Sequence, residues 1–319
     1  MVEIDHAQMN YLRDVIGEIT ASLGEEYDKL VVVNADLMGT CRTRSFNEKF
    51  PDRCFNVGIA EQQMVSFAAG LAYEGYVPFT FTMAPFLTMR ACEQVRDDVA
   101  YADANVRLMG TYAGVSGGIS GATHWSIEDV GIMSSIPNIT VIEICDPTEA
   151  DQLIRESMNQ TGPFYFRTGV IPVPKIYSYD HQFKIGKAEV LKDGNDGAFI
   201  TSGVTVSYAI DAANNIEEKT GRHIMVIDMH TIKPVDREVI KYASTTGNIV
   251  CAEDHNVFGG LGSQVAMVLA EEGIGVHFQN IGVPDKFVAM AHAPYLYHQF
   301  GYDTEGLENA MMKMFSKGR

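Results

Sequence analysis

The sequence predicts an α/β fold of two three-layer α/β/α domains, the first on a parallel sheet and the second smaller, with a mostly parallel sheet. Three observations carry this. The chain has 319 residues, a length that suits two domains, each with its own core. Short apolar runs alternate with longer amphipathic stretches, the pattern of strands covered by helices on both faces. A composition break, VIPVPKIYSYDHQFKIGKAEVLKDGND, then interrupts the alternation with two prolines and a short basic, hairpin-like piece. The expected organisation is a first domain over 1–172, a linker over 173–191 and a second domain over 192–319.

Each element has a local reason. Apolar residues at helical spacing run from Leu12 to Leu23 and stop at Gly24, which predicts a helix. LVVVNAD (Leu30 to Asp36) is apolar and β-branched until its polar end and reads as a buried strand. VGIAEQQMVSFAAGLAYEG starts as a short strand-like piece and becomes a helix after Ala60, closed by Gly75. VPFTFT is a strand, Phe86 to Tyr101 a helix, and VRLMGTYAG a strand running into the glycine-rich GVSGGISGATHW. ITVIEICDP is a strand stopped at Asp146-Pro147, Thr148 to Asn159 a helix, and PFYFRTG the next strand. Past the linker the alternation restarts. GAFITSG, HIMVIDM and NIVCAED are strands, and Ser207 to Thr220, Arg237 to Ala243 and Gly262 to Glu272 are helices.

Composition narrows the function. A hydrophobic content of 46% excludes a disordered chain, and no run of about 18 uncharged apolar residues offers a membrane span. A net charge of −17 argues against nucleic-acid binding, because it repels phosphate backbones. The five cysteines (Cys41, Cys54, Cys92, Cys145, Cys251) are odd in number and lack CxxC spacing, so neither a disulfide framework nor a zinc site is indicated. The polar start, MVEIDHAQMN, does not resemble a signal peptide. A reduced, cytoplasmic protein is expected.

Open parallel sheets bind ligands beyond the carboxyl ends of their strands, and several unusual residues fall there. Glu61 stands in the first turn of a helix that continues as MVSFAAGLA. A carboxylate at a helix N-terminus commonly serves the helix dipole. With so little charge nearby, this one is expected to be poorly solvated, a setting that raises a carboxyl pKa and keeps a proton for a partner. His124 follows a run of glycines (Gly110, Gly114, Gly117, Gly118, Gly121) that let backbone approach a ligand. It is read either as a ligand contact or as the cap of a surface loop. Phe79, Phe81 and Phe86 are read as aromatic packing, ordinary core for the first two. Arg167 ends a strand and is either an ion-pair partner or an anion ligand.

Taken together, VNADLMGT, CFNVGIAEQQMVSFAAGLAYEGYVPF, FLTMRACEQVR, SGATHWSIEDVGIMSSIPNITVI, GPFYFRTG, DMHTIKPVD and AEDHNVFGGLGSQVA resemble the C-terminal half of a transketolase. That half is the pyrimidine-binding domain followed by the transketolase C-terminal domain. The resemblance covers nearly the whole chain and implies dependence on thiamine diphosphate. It implies that Glu61 hydrogen-bonds the aminopyrimidine ring, promoting the imino tautomer through which the cofactor's reactive carbon is deprotonated. It implies that Phe86 packs on the pyrimidine, with Phe79 and Met83 near the same pocket. His124 is implied to contact substrate near the reacting carbon, Arg13 and Arg167 to bind the acceptor phosphate at the rim, and Asp36 and Thr40 to lie on a loop that approaches cofactor and substrate. Two departures stand out. The family's Gly-Glu-Asp-Gly before the Thr-His pair reads Gly118-Ile119-Ser120-Gly121, so Ser120 replaces an aspartate that senses a sugar hydroxyl. Tyr112 replaces a second histidine. An unusual ketose or acceptor is therefore expected.

The resemblance also implies a missing half. No Gly-Asp-Gly followed by a metal-ligating Asn occurs; the nearest string, Lys192-Asp193-Gly194-Asn195-Asp196, lies in a polar turn. The chain is expected to be the second subunit of a split enzyme. An N-terminal subunit with a diphosphate-binding domain would hold the diphosphate and Mg²⁺ or Ca²⁺, with no metal ligand from this chain, in an α2β2 assembly. The apolar Phe67, Ala68, Ala69 and Leu71 suit a helix buried on more than one side. The expected activity is transfer of a two-carbon ketol unit from a ketose phosphate, or a similar anionic ketose, to an aldose acceptor. The β subunit of a 2-oxo-acid dehydrogenase shares the domain order and a matching Glu, but Ser-Gly-Ala-Thr-His and the two arginines look closer to sugar-phosphate enzymes. A 1-deoxyxylulose phosphate synthase would carry both halves on one chain. A non-catalytic partner of the same fold would have no need of both Glu61 and His124.

Overall fold

The computed structural model describes residues 4–317. β1 (Asp5–Asn10) and α1 (Leu12–Glu26) lead into β2 (Leu30–Asn34), α2 (Arg44–Lys49), β3 (Cys54–Asn56), α3 (Glu61–Tyr73) and β4 (Val77–Met83). A helical stretch follows in which π turns at Phe86–Arg90 and Val95–Ala100 flank the short α4 (Cys92–Gln94). Then come β5 (Arg107–Thr111), α5 (Asp129–Ser135), β6 (Thr140–Glu143), α6 (Pro147–Met158) and β7 (Phe164–Arg167). The second half holds β8 (Val173–Lys175), β9 (Glu189–Lys192), β10 (Gly197–Thr201), α7 (Thr205–Thr220), β11 (Ile224–Asp228) and β12 (Thr231–Lys233). It ends with α8 (Arg237–Ser244), β13 (Asn248–Asn256), α9 (Leu261–Glu271), β14 (His277–Val283), α10 (Ala293–Phe300) and α11 (Thr304–Lys317).

The first sheet has seven strands in the order β12-β6-β7-β5-β4-β2-β3. All its pairings are parallel except that of β12 with β6. The second has five, β14-β13-β10-β11-β9, with β9 antiparallel at one edge. Helices cover both faces of the first sheet, which is why LVVVN is buried along its whole length. On one face Leu12, Ile16 and Ile19 of α1 pack with Phe79 and Phe81. On the other, Met64, Val65, Ala68 and Ala69 of α3 join a core that continues into the second sheet through Ile200 and Ile227.

The two halves are less separate than the composition break suggests. Within the expected linker, β8 pairs antiparallel with β1, and β9 starts at Glu189. β12 leaves the second half to close the edge of the first sheet against β6. An open parallel edge exposes unpaired amide and carbonyl groups, and the short strand covers them.

A buried acidic cluster lies where these parts meet. Cys145 donates its thiol to Asp228 Oδ2 at 3.2 Å, and the Tyr177 hydroxyl donates to the same oxygen at 2.6 Å. Glu149 accepts the Cys145 N–H at 2.5 Å, and an oxygen of its carboxyl lies within 4.8 Å of one of Asp228. Two facing carboxyls out of water cannot both be charged, so they share a proton. Burial pushes Asp228 up to about 7 against its hydrogen bonds, and burial together with the Asp228 charge pushes Glu149 well up. Between about pH 4 and pH 7 the folded chain therefore keeps a proton that the unfolded chain has released. That contribution is whole below the window and is lost as pH rises through it, by at most ~1.4 kcal/mol per pH unit. Calorimetric melting should show stability falling across this range. Asp228→Asn, which supplies a fixed N–H in place of the shared proton, should flatten the fall and melt roughly 2–4 °C higher at pH 8. An unchanged slope in the variant would contradict the shared proton.

Candidate active site

The carboxyl ends of β2, β4 and β5 face one region, and local backbone devices shape it. Asn56, ending β3, accepts the N–H groups of Asp36 and Gly58 on one oxygen, each at 3.0 Å, and donates to Asp36 Oδ1 at 3.1 Å. This clamp holds Asp36 in the left-handed region (φ 60°), which a non-glycine residue occupies only when its surroundings impose it. It also fixes the loop that delivers Glu61. Thr40 is half-buried on the same β2–α2 connection as Asp36. Tyr112 leaves β5 with φ 61°. Its ring lies against Gly117, where a Cβ would come within 2.9 Å of it, so the loop bearing Ser120 and His124 needs that glycine. Ser120 is exposed at the loop's short 3₁₀ turn.

At the centre stands Glu61, the first residue of α3 and 1% exposed. The burial expected from the sequence is present, but the carboxylate is not isolated. Arg90 donates to its Oε2 at 2.7 Å, while Oε1 has only a 3.5 Å contact from the Thr82 hydroxyl. The Arg90 guanidinium lies 4.3 Å from the centre of the Phe86 ring, and Phe86 meets His124 edge-to-face at 5.5 Å. His124 Nδ1 pairs with the Thr123 hydroxyl at 2.8 Å. Three of the residues singled out in the sequence (Glu61, Phe86 and His124) thus join one continuous cluster through Arg90, which the sequence reading did not single out. The signal for it was the FLTMR string, where Arg90 follows Phe86 by four residues. A π turn, with Ala91 N–H bonded to the Phe86 carbonyl five residues back at 3.2 Å, lies between Phe86 and Arg90, whose side chains meet each other. Met83 ends β4 and is 8% exposed.

Two expectations are corrected. Phe79 lies in the core between the sheet and α1, four residues before the end of β4. That is roughly 13 Å of strand from Met83, so Phe79 does not line the pocket. Arg167 is not at a rim. It is fully buried, its Nε bonds Asp129 Oδ2 at 2.7 Å, and its Nη1 pairs with Glu143. Its Nη2 donates to the Asp254 carbonyl at 2.6 Å. Each nitrogen of its guanidinium is engaged inside the core, out of reach of a phosphate at the rim. Arg13 differs: it is half-buried on α1, and its buried Nε–H has no hydrogen-bond partner. It opens onto a crevice lined by Cys41, Thr111 and Thr168 at the strand ends.

The family model for the transketolase pyrimidine-binding domain matches residues 8–173, and that for the transketolase C-terminal domain matches residues 186–307. The chain belongs to the transketolase family. This transketolase-family chain is 36% identical over 304 residues to the 6-deoxy-6-sulfo-D-fructose transketolase subunit SqwH of Clostridium sp. (strain MSTE9), covering 94% of this chain and 93% of that one. It is 40% identical over 263 residues to an apulose-4-phosphate transketolase subunit from Actinobacillus succinogenes, covering 82% and 84%. A solved split-gene transketolase, an inactive β4 tetramer, superposes with a TM-score of 0.86 at 35% identity, over 97% of this chain and 99% of that one. The chain matches separate subunits of split transketolases over most of both lengths, and it is the second subunit of a split transketolase, a transferase of this thiamine-dependent family.

Proposed function

We propose that the chain, joined to a subunit carrying a diphosphate-binding domain, transfers a two-carbon ketol unit from an anionic ketose to an aldose with thiamine diphosphate as cofactor. The observation that carries this is the Glu61–Arg90–Phe86–His124 cluster at the strand ends. The residues fit the cofactor's pyrimidine half: a buried carboxylate with one oxygen nearly unpartnered stands beside a half-buried aromatic ring. Thiamine diphosphate supplies, when bound, the nucleophilic carbon that takes up the two-carbon unit. Glu61 would hold the ring nitrogen, and its burial keeps water from competing for that bond. Phe86 would pack on the ring, with Met83 close by and Asp36 and Thr40 on the adjoining loop. His124, half-buried and within reach of solvent, would hold or pass a proton beside the reacting carbon.

The diphosphate and a divalent ion, Mg²⁺ or Ca²⁺, would be held by the partner subunit in an α2β2 complex. The inactivity of the β4 relative agrees with a need for that partner. Among the described residues no helix is long and apolar enough to cross a membrane, and with all five cysteines free we place the complex in the cytoplasm. The unpartnered Arg13 Nε–H suits a tetrahedral anion on the substrate, whereas Ser120 and Tyr112 offer neutral hydroxyls where the family has an aspartate and a histidine. Both named relatives are transketolase subunits for an anionic sugar, one a sulfo-sugar and the other a sugar phosphate. The test is steady-state kinetics of the reconstituted complex over a panel of phosphorylated and sulfonated ketoses with several aldehydes. The highest kcat/KM is expected for a pair other than xylulose 5-phosphate with ribose 5-phosphate. Preference for that pair would sink the altered specificity, and no ketol transfer from any donor would sink the function.

A further inference from the structure

We propose that Arg90 is a positioning residue that occupies the pyrimidine's place in the free subunit and must be displaced from Glu61 when thiamine diphosphate binds. The inference rests on the cofactor assignment above. Both contacts of the Arg90 head are with groups assigned to the pyrimidine: Glu61 Oε2 at 2.7 Å and the Phe86 ring at 4.3 Å. A guanidinium is planar, donates N–H groups in its own plane and stacks on aromatic faces. An aminopyrimidine held through a protonated ring nitrogen has the same three properties. Arg90 therefore satisfies a carboxylate that would otherwise be buried bare, since Glu61 is 1% exposed and its remaining contact, from Thr82, is 3.5 Å long.

The arginine is built to leave. Its side chain is 45% exposed while that of Glu61 is 1% exposed, so a guanidinium that swings out is rehydrated at once. The carboxylate it leaves can be satisfied only by something that enters the pocket. The π turn adds to this, because it places Arg90 beside Phe86 rather than a further step around the helix. Arg90 thus keeps the pocket folded and closed in the free chain, and lowers cofactor affinity by the free energy of the contacts it gives up.

The test measures thiamine diphosphate binding to the reconstituted complex at saturating Mg²⁺. Fluorescence of Trp125, the single tryptophan and the neighbour of His124, is the readout, with circular dichroism as the check on folding. Arg90→Gln keeps one neutral donor for Glu61 and removes the charge and the fork. It should bind the cofactor about tenfold more tightly than the parent. Arg90→Lys, with a charge but no planar fork, should fall between the two and serves alone if Arg90→Gln does not fold. A residue that merely supported the fold would weaken binding when replaced, so the sign decides. A cofactor analogue with CH in place of the ring nitrogen that faces Glu61 competes with Arg90 for the Phe86 face but not for the carboxylate, and Arg90→Gln should give it a smaller gain than thiamine diphosphate. Equal or weaker binding of thiamine diphosphate by both variants, with the parent binding well, overturns the role of Arg90 alone. Failure of the parent complex to bind, or undiminished binding and tautomer shift in Glu61→Gln, overturns the cofactor assignment beneath it.

Discussion

Glu61→Ala is expected to lower the turnover of the reconstituted complex by about 10²-fold or more, the usual cost of losing a positioned acid–base group. The fold should hardly notice. Alanine is a good helix former at the start of α3, and the partner left behind, Arg90, is 45% exposed and turns to water. The chain also loses a buried carboxylate, which is costly to desolvate. The melting temperature is thus expected to stay within a few degrees of the parent while kcat collapses at saturating cofactor. Glu61→Gln should be as inactive, since an amide cannot exchange a proton with the ring nitrogen. Near-normal turnover in either variant would remove Glu61 from the mechanism.

Why Glu61, Phe86 and His124 were legible and Arg90 was not is a matter of range. The first three each sit in a contiguous string whose glycines, small apolar residues or aromatics already mark a strand end or a helix start. The link through Arg90 depends on a π turn, and a periodicity reading treats Phe86 to Tyr101 as one regular helix. Strands buried on both faces, such as LVVVN and GAFIT, announce themselves by uninterrupted apolar residues. β1 (DHAQMN) and β12 (TIK) carry no such pattern, because both are short pieces added beside other strands whose pairing, rather than their own sequence, makes them strands. The carboxyl-terminal elements β14, α10 and α11 carry no such signal either, since exposed polar residues break their apolar runs. Arg167 shows the same limit at one residue. Its partners Asp129, Glu143 and Asp254 lie 38, 24 and 87 residues away, and nothing local shows that they converge.

That convergence sets the second large effect. Arg167→Ala should cost about 3–5 kcal/mol of stability, because it leaves two buried carboxylates, Asp129 and Glu143, without their cation. For a chain of this size that is a fall of roughly 10 °C in melting temperature. The damage should spread to the site from below. The Arg167 guanidinium holds the Asp254 carbonyl, and the Asp254 carboxylate holds the Val115 N–H at 2.9 Å and the Tyr302 hydroxyl at 2.9 Å. Val115 belongs to the glycine-rich loop that carries Ser120 and His124, so loosening should lower kcat through His124. Arg167→Lys does not rescue, since an ammonium cannot span Asp129, Glu143 and the carbonyl together. Neutralising Arg167, Asp129 and Glu143 together, as Arg167→Met with Asp129→Asn and Glu143→Gln, should recover part of the lost stability, because only the hydrogen-bonded Asp254 carboxylate is then left buried without the cation. A phosphate ligand at the rim would behave in the opposite way: Arg167→Ala would melt like the parent and raise the KM of anionic substrates at least tenfold. Calorimetry and a KM measurement on the same preparation separate the two outcomes, and the buried geometry of Arg167 requires the first.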